Sequence, residues 1–210
     1  MRQPNNDDIT KAYNKAAPGY DRQMGFFERH MARGAREWAL SQARGDVLEV
    51  GVGSGLNLPL YGPAVTSVLG IDLSEGMLAI ARQRAERGGL TMAQLRTGDA
   101  QALDLPSDSA DTVLSTFTFC TIPDPLAASR EAYRILRSGG TFVLAEHGPS
   151  ARAFGRAAMR AVEPLFIRFG TDHLMRDPAT YLTGAGFTVT SVERGGRGGA
   201  IFRVLARKDA

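Results

Sequence analysis

The sequence has little of what would confine it to one environment. One cysteine, Cys120, stands in 210 residues, which excludes an internal disulfide framework and suits a reducing compartment. No apolar run is long enough to span a bilayer. The opening stretch, "MRQPNNDDITKAYNKAAPGYDR", lacks the apolar core of a signal peptide, so a cytoplasmic protein is expected. Charge of one sign is also scarce. Lys and Arg number 25 against 22 Asp and Glu, a net +3 that is too weak to argue for nucleic acid. Internal repeats and low-complexity linkers are missing. With only three histidines, His30, His147 and His173, the choice of an imidazole base is short.

What is present is an ordinary globular composition, 43% apolar and 22% charged, long enough for one generous domain. From Asp46 short apolar runs alternate with longer amphipathic ones. "DVLEVG", "TSVLGID", "LTMAQLRTGDA", "DTVLSTFTF" and "TFVLAEH" read as five strands. Between them "SEGMLAIARQRAER" is a helix capped by Ser74, and "DPLAASREAYRILRSGG" a helix stopped by Gly139 and Gly140. That alternation implies right-handed βαβ units and an α/β fold with a doubly wound, mostly parallel sheet. Before it, Asp7–Tyr20 and Phe26–Gln42 are predicted helical. After it, "SARAFGRAAMRAVEPLFIRFG" reads as an amphipathic helix interrupted at Pro164, and "PATYLTGAGF" as a short one. "TVTSVER" and "AIFRVLARK", joined through "GGRGG", predict a C-terminal antiparallel hairpin; an RNA-binding reading of "RGGRGG" is set aside because it lies between strand-like runs.

"VLEVGVGSG" places Gly51, Gly53 and Gly55 directly behind the first strand. Bare backbone there lets a ligand lie against the turn and the following helix N-terminus. Asp72 ends the second strand, where an acid can take both hydroxyls of a ribose. The turn reads E-x-G-x-G-x-G rather than the dinucleotide G-x-G-x-x-G, and Glu49 would repel a pyrophosphate. An acid there suits a cationic ligand, an amine or a sulfonium. Asp99 ends the third strand, in reach of an adenine amino group.

In these segments, "VLEVGVGSG", "GIDLSEGML", "GDAQALDLP", "DTVLSTFTF" and "ILRSGGTFVL", taken in order, the chain resembles the class I S-adenosylmethionine-dependent methyltransferases. The resemblance implies a Rossmann-like methyltransferase fold with seven strands and S-adenosylmethionine as cofactor. It implies one domain over 1–210: a helical lid (1–45), a cofactor-binding core (46–147), a helical acceptor-side insert (148–186) and the hairpin (187–210). By the same resemblance Glu49 and Gly51 lie near the methionine end of the cofactor, Asp72 binds its ribose, Met77 packs by its adenine, and Asp99 and Ala100 contact the adenine edge. Ser115 or Thr116 follows the fourth strand beside it. "AYNKAAPGYD" resembles the lid of quinone and phospholipid methyltransferases, which makes Tyr13 and Tyr20 candidates to close over the cofactor.

Methyl transfer from a sulfonium is an in-line displacement in which the protein mainly aligns and desolvates. A base is needed only for an acceptor of high pKa. The segments "VGSGLNLPLYG", "FCTIPDP" and "DHLMRDPATYLTGAGF" resemble both bacterial phospholipid N-methyltransferases and thiol S-methyltransferases. A thiol or sulfur-bearing small molecule is the favoured acceptor; phosphatidylethanolamine at a membrane surface is the alternative, and a non-catalytic cofactor-binding module a third reading. No metal and no nucleic acid are expected. His147, ending the fifth strand, and an Asp172–His173 pair are the catalytic candidates. Arg176 with Asp177 reads as a stabilising bridge, Cys120 as a plain buried cysteine and His30 as a surface residue. The helix near Pro164 either covers the acceptor pocket, which is favoured, or rests on an anionic membrane as a peripheral contact.

Overall fold

A computed structural model describes residues 3–209. Its centre is a seven-stranded sheet: β1 (Gly45–Val50), β2 (Val65–Asp72), β3 (Ala93–Thr97), β4 (Ala110–Thr116), β5 (Leu136–His147), β6 (Thr188–Gly195) and β7 (Ile201–Arg207). The order is β3-β2-β1-β4-β5-β7-β6. β1 to β5 pair in parallel, and β7 pairs antiparallel with both β5 and β6, so the expected hairpin closes the sheet. The order reverses between β1 and β4. Ligands in such sheets bind beyond the carboxyl ends of the strands at that reversal.

Strand alternation builds two cores. Leu48, Val113, Phe142 and Leu144 face one side, with α5 (Pro125–Ile135) and α7 (Pro178–Gly184). Val47, Leu114, Val143 and Ala145 face the other, with α3 (Ala35–Gln42) and α4 (Glu75–Arg87). α4 forms where Ser74 accepts a hydrogen bond from the Met77 amide, and it buries Met77, Leu78 and Ala81 at helical spacing. α5 starts on Asp124 as cap with Pro125 behind it.

Three predicted boundaries move, and one expected packing contact is absent among the described residues. The N-terminal region forms three helices, α1 (Asn6–Ala16), α2 (Tyr20–His30) and α3, because Pro18 opens a single 3-10 turn and Gly34, at φ 72°, breaks the chain before α3. α5 ends at Ile135, not at the glycines. Leu136 turns extended and pairs with Ala110, while Arg137 binds Asp46 and Asp111. Those ties outweigh continuation of the helix. The helix α6 (Ala153–Gly170) runs through Pro164 without interruption. Pro164 and Arg160 are exposed, so the carbonyl that loses its helical partner can be solvated. Finally, the apolar side of α6 does not close over the sheet. No described α6 side chain is buried, and none belongs to either core.

Candidate active site

The turn after β1 is built by glycine geometry. Gly51, Gly53 and Gly55 all have positive φ, 71°, 55° and 78°. Their neighbours divide them. A Cβ on Gly51 would meet Thr118 Cγ2 at 2.2 Å, and one on Gly55 would meet Leu58 at 2.8 Å and Ala81 at 3.1 Å. Those two glycines allow packing. A Cβ on Gly53 would meet only Tyr20, at 3.9 Å, so this residue keeps open space for a ligand. Asp72 holds the turn: it accepts hydrogen bonds from the Gly53 amide (2.9 Å) and the Ser74 amide (2.8 Å). Burial raises its pKa, and those amide bonds oppose the rise.

The turn opens into a cleft at the carboxyl edge of the sheet. Of the candidates named from the sequence, Tyr13, Tyr20, Gly51, Gly53, Asp72, Met77, Asp99 and Ala100 line it. The N-terminal region is strapped across it. Asn6 donates to Asp99 (2.7 Å), Ser54 donates to Asp21 (2.6 Å), and Asn14 accepts from Ser74 (2.7 Å) and the Gly76 amide (2.9 Å). Tyr13 and Tyr20 meet edge to face, with centroids 6.2 Å apart.

Four expected residues are not on the wall. Glu49 lies behind the turn, where it accepts from Asn57 (2.8 Å) and Tyr61 (2.7 Å). Burial lifts its pKa to about 7 against those bonds and nearby Arg36. Gly55 is packed as described. Ser115 donates to the Val50 carbonyl (2.9 Å), and Thr116 accepts from Arg36 (3.2 Å), both inside the protein. The wall after β4 is instead Phe117, Thr118 and Thr121. The signal was one turn further along "STFTFCT" than it was sought. Phe117, at φ 54°, swings the chain so that the next residues face the cleft. Gln101, which donates twice to Asp99 at 2.9 Å, also lines the cleft and was missed.

Beside Tyr13 lies a polar side-chain cluster. Ligating atoms of Cys120, His147 and Asp172 all fall within 4.8 Å of one another. The Asp172 partner is therefore not His173: the Cys120 thiol donates to Asp172 at 3.9 Å, and His173 only sends its amide to the Cys120 carbonyl (3.0 Å). Arg176 forms no bridge with Asp177. It donates to the carbonyls of Phe119, Cys120 and Ile122, while Asp177 caps α7. Glu146 is buried and accepts from the His147 amide (2.8 Å) and the Cys120 amide (3.3 Å). Burial raises Glu146 to about 7 and Asp172 to about 6, and it lowers His147 to about 4. At neutral pH the imidazole is uncharged. Its Nδ1 is buried without a hydrogen-bond partner among the described residues. Burial, then Asp172 and Cys120, push the Tyr13 phenol up, and Tyr13 itself lines the cleft, so this cluster adjoins it. His30 is exposed, as expected.

A bare turn, an acid ending β2 and this strand order define a Rossmann-like fold that binds its ligand at the sheet's carboxyl edge. Residues 48–144 match the family described as "Methyltransferase domain". The chain is 39% identical over 165 residues to "Phosphatidylethanolamine N-methyltransferase" of Cereibacter sphaeroides, covering 78% of this chain and 77% of that protein. It is 31% identical over 181 residues to "Demethylmenaquinone methyltransferase" of Tropheryma whipplei (strain Twist), covering 83% and 73%. This chain belongs to the class I S-adenosylmethionine-dependent methyltransferases. The fold is shared more widely. A Thermotoga maritima methyltransferase structure superposes with TM-score 0.72 at 22% identity over 95% of this chain and 99% of its own. The cyclase SpnF does so with TM-score 0.81 at 17% identity over 100% and 98%, so the fold by itself does not name the chemistry.

Proposed function

We propose that this protein methylates the amine of a phospholipid headgroup. The observation that carries the reading is the charge of the side-chain cluster beside Tyr13. The buried Glu146 carboxyl, the half-buried Asp172 carboxyl and the Cys120 thiol stand near one cation, Arg176, whose guanidinium is spent on backbone carbonyls. Burial, Glu146 and Asp172 all raise the Cys120 thiol. The same surroundings would disfavour the thiolate of a sulfur acceptor and favour an ammonium. That argument puts an amine ahead of the thiol expected from sequence. The similarity to a protein named for phosphatidylethanolamine supports the same choice.

The cleft residues fit the cofactor on this structure's own terms: Gly53 leaves open space beneath Tyr20, and an acid stands at each flank. Asp72 would hold the ribose, Asp99 with Ala100 the adenine edge, and Met77 would pack against the ring. Tyr13 and Tyr20 would close the other end, with Gly51 admitting Thr118 to the wall. Glu49 would support the turn from behind through Asn57 and Tyr61. When bound, the cofactor supplies a methyl group on a sulfonium, already carrying its leaving group. What remains for the chain is alignment, exclusion of water and removal of one proton from the acceptor nitrogen. Asp172 or neutral His147 would take that proton. His173, with its ring also lowered to about 4 by burial and Arg176, would stay uncharged at the margin.

The test offers labelled cofactor with a short-chain phosphatidylethanolamine, a set of amines and a set of thiols. Label in the amine lipid is expected. Label in thiols alone would overturn the acceptor, and no heat with millimolar S-adenosylhomocysteine in calorimetry would leave only a scaffold.

A further inference from the structure

The apolar face of α6 points away from the protein. Phe154, Ala158, Ala161, Val162 and Leu165 recur at the i, i+4, i+7, i+8, i+11 spacing of one helix face, and all are exposed, Phe154 by 87% and Leu165 by 57%. The opposite face, Gly155, Arg156, Met159, Glu163 and Ile167, is the half-buried one. An amphipathic helix in a globular protein normally turns the other way. The inversion leaves a continuous apolar stripe facing solvent.

We propose that α6 seats this stripe in an anionic lipid surface. Charge selects the occupant. From Arg152 to Arg168 the segment carries four arginines and one acid, a local +3 equal to the net charge of the whole chain. Glu163 is turned inward, where it accepts from the Met175 amide (2.9 Å). Exposed arginines flanking an apolar stripe suit anionic headgroups. A second copy of the same helix would bring arginine against arginine. Position agrees. α6 follows the last residue of β5, at the sheet edge that carries the cleft, and the Glu163–Met175 bond joins it to the loop that presents Asp172. The proposal takes its purpose from the lipid-acceptor reading, but its physics is separate.

The experiment sediments the full chain, without cofactor, with vesicles of phosphatidylcholine or of phosphatidylcholine mixed with phosphatidylglycerol. Binding to the mixed vesicles, weakened by salt, is expected. The Phe154→Ser/Leu165→Ser variant should bind about tenfold less, and Arg152→Glu/Arg160→Glu should lose the preference for anionic lipid. These residues are exposed, so circular dichroism should match the parent. Wild type left in the supernatant with both vesicles would overturn the proposal. So would a Phe154→Ser/Leu165→Ser variant that binds like its parent, or a dimer in sedimentation equilibrium that the same variant breaks while vesicles bind neither. Assays on monomeric short-chain phosphatidylethanolamine separate the two readings. Turnover without vesicle binding sinks the docking alone, and vesicle binding without turnover of any amine lipid sinks the acceptor alone.

Discussion

α4 and α6 each follow a parallel strand at the carboxyl edge of one sheet, yet they are built in opposite ways. α4 buries Met77, Leu78 and Ala81, and its N-terminus is held by Ser74, Asn14 and the Asp72 loop. α6 buries no described side chain and turns Phe154 and Leu165 to solvent. The first helix borders the proposed cofactor cleft, and its surroundings are mutually bonded. The second lies on the side where the proposed acceptor would arrive, and there the fold leaves apolar surface exposed. Rigidity near the cofactor and exposure near the acceptor should therefore give opposite responses to substitution.

The largest effect should come from Gly51→Ala. Its Cβ would lie 2.2 Å from Thr118 Cγ2 at a φ of 71°, which combines overpacking with a left-handed backbone. A loss of about 3 kcal/mol in urea denaturation is expected, and with it cofactor affinity. Gly53→Ala meets only Tyr20 at 3.9 Å and bears the cost of the left-handed backbone alone, at φ 55°, so it should lose about 1–2 kcal/mol while losing affinity for S-adenosylhomocysteine. Equal stability losses in the two variants would erase the distinction between packing and ligand glycines.

Next is Asp172→Asn, expected to lower kcat by about 100-fold. Burial sets the Asp172 carboxyl at about 6, and a base works only when deprotonated, so the wild-type rate should rise with pH through that value. The variant should lose this limb. His147, held near 4 by burial, is already neutral across the same range and adds no limb there. A retained limb in Asp172→Asn would move the base elsewhere. Asp72→Ala should follow, weakening S-adenosylhomocysteine by roughly 30-fold in calorimetry, because it removes the proposed ribose partner together with the acceptor of the Gly53 amide. Unchanged affinity would mean that the ligand does not lie on this turn.

The same contrast explains what was legible in the sequence. Strands, the α4 cap and the glycine turn were readable because each depends on local chemistry: alternation, Ser74, and glycines behind an apolar run. The wall after β4 was misplaced because Phe117 reverses the local facing of side chains, and a positive φ at phenylalanine leaves no mark in the sequence. Asp172 and Cys120 lie 52 residues apart and meet only through tertiary packing, which no spacing records. α6 was recognisable as amphipathic, but the direction of its apolar face is decided by what is absent opposite it. Periodicity reports that a face exists, not where it points.

The smallest effect sharpens the comparison most. Phe154→Ser removes a large apolar side chain, which in a core would cost about 3–5 kcal/mol. Phe154 is 87% exposed, so there is almost no packing to lose, and unfolding stability should stay within about 0.5 kcal/mol of the parent. Solubility should improve, because the stripe loses its most exposed aromatic ring. A core-sized loss of stability would mean that α6 packs against the body of the protein in solution and that its apolar face is not presented outward at all. A null effect on stability leaves the residue with no structural reason to be phenylalanine, and shifts the explanation for it to what lies outside the chain.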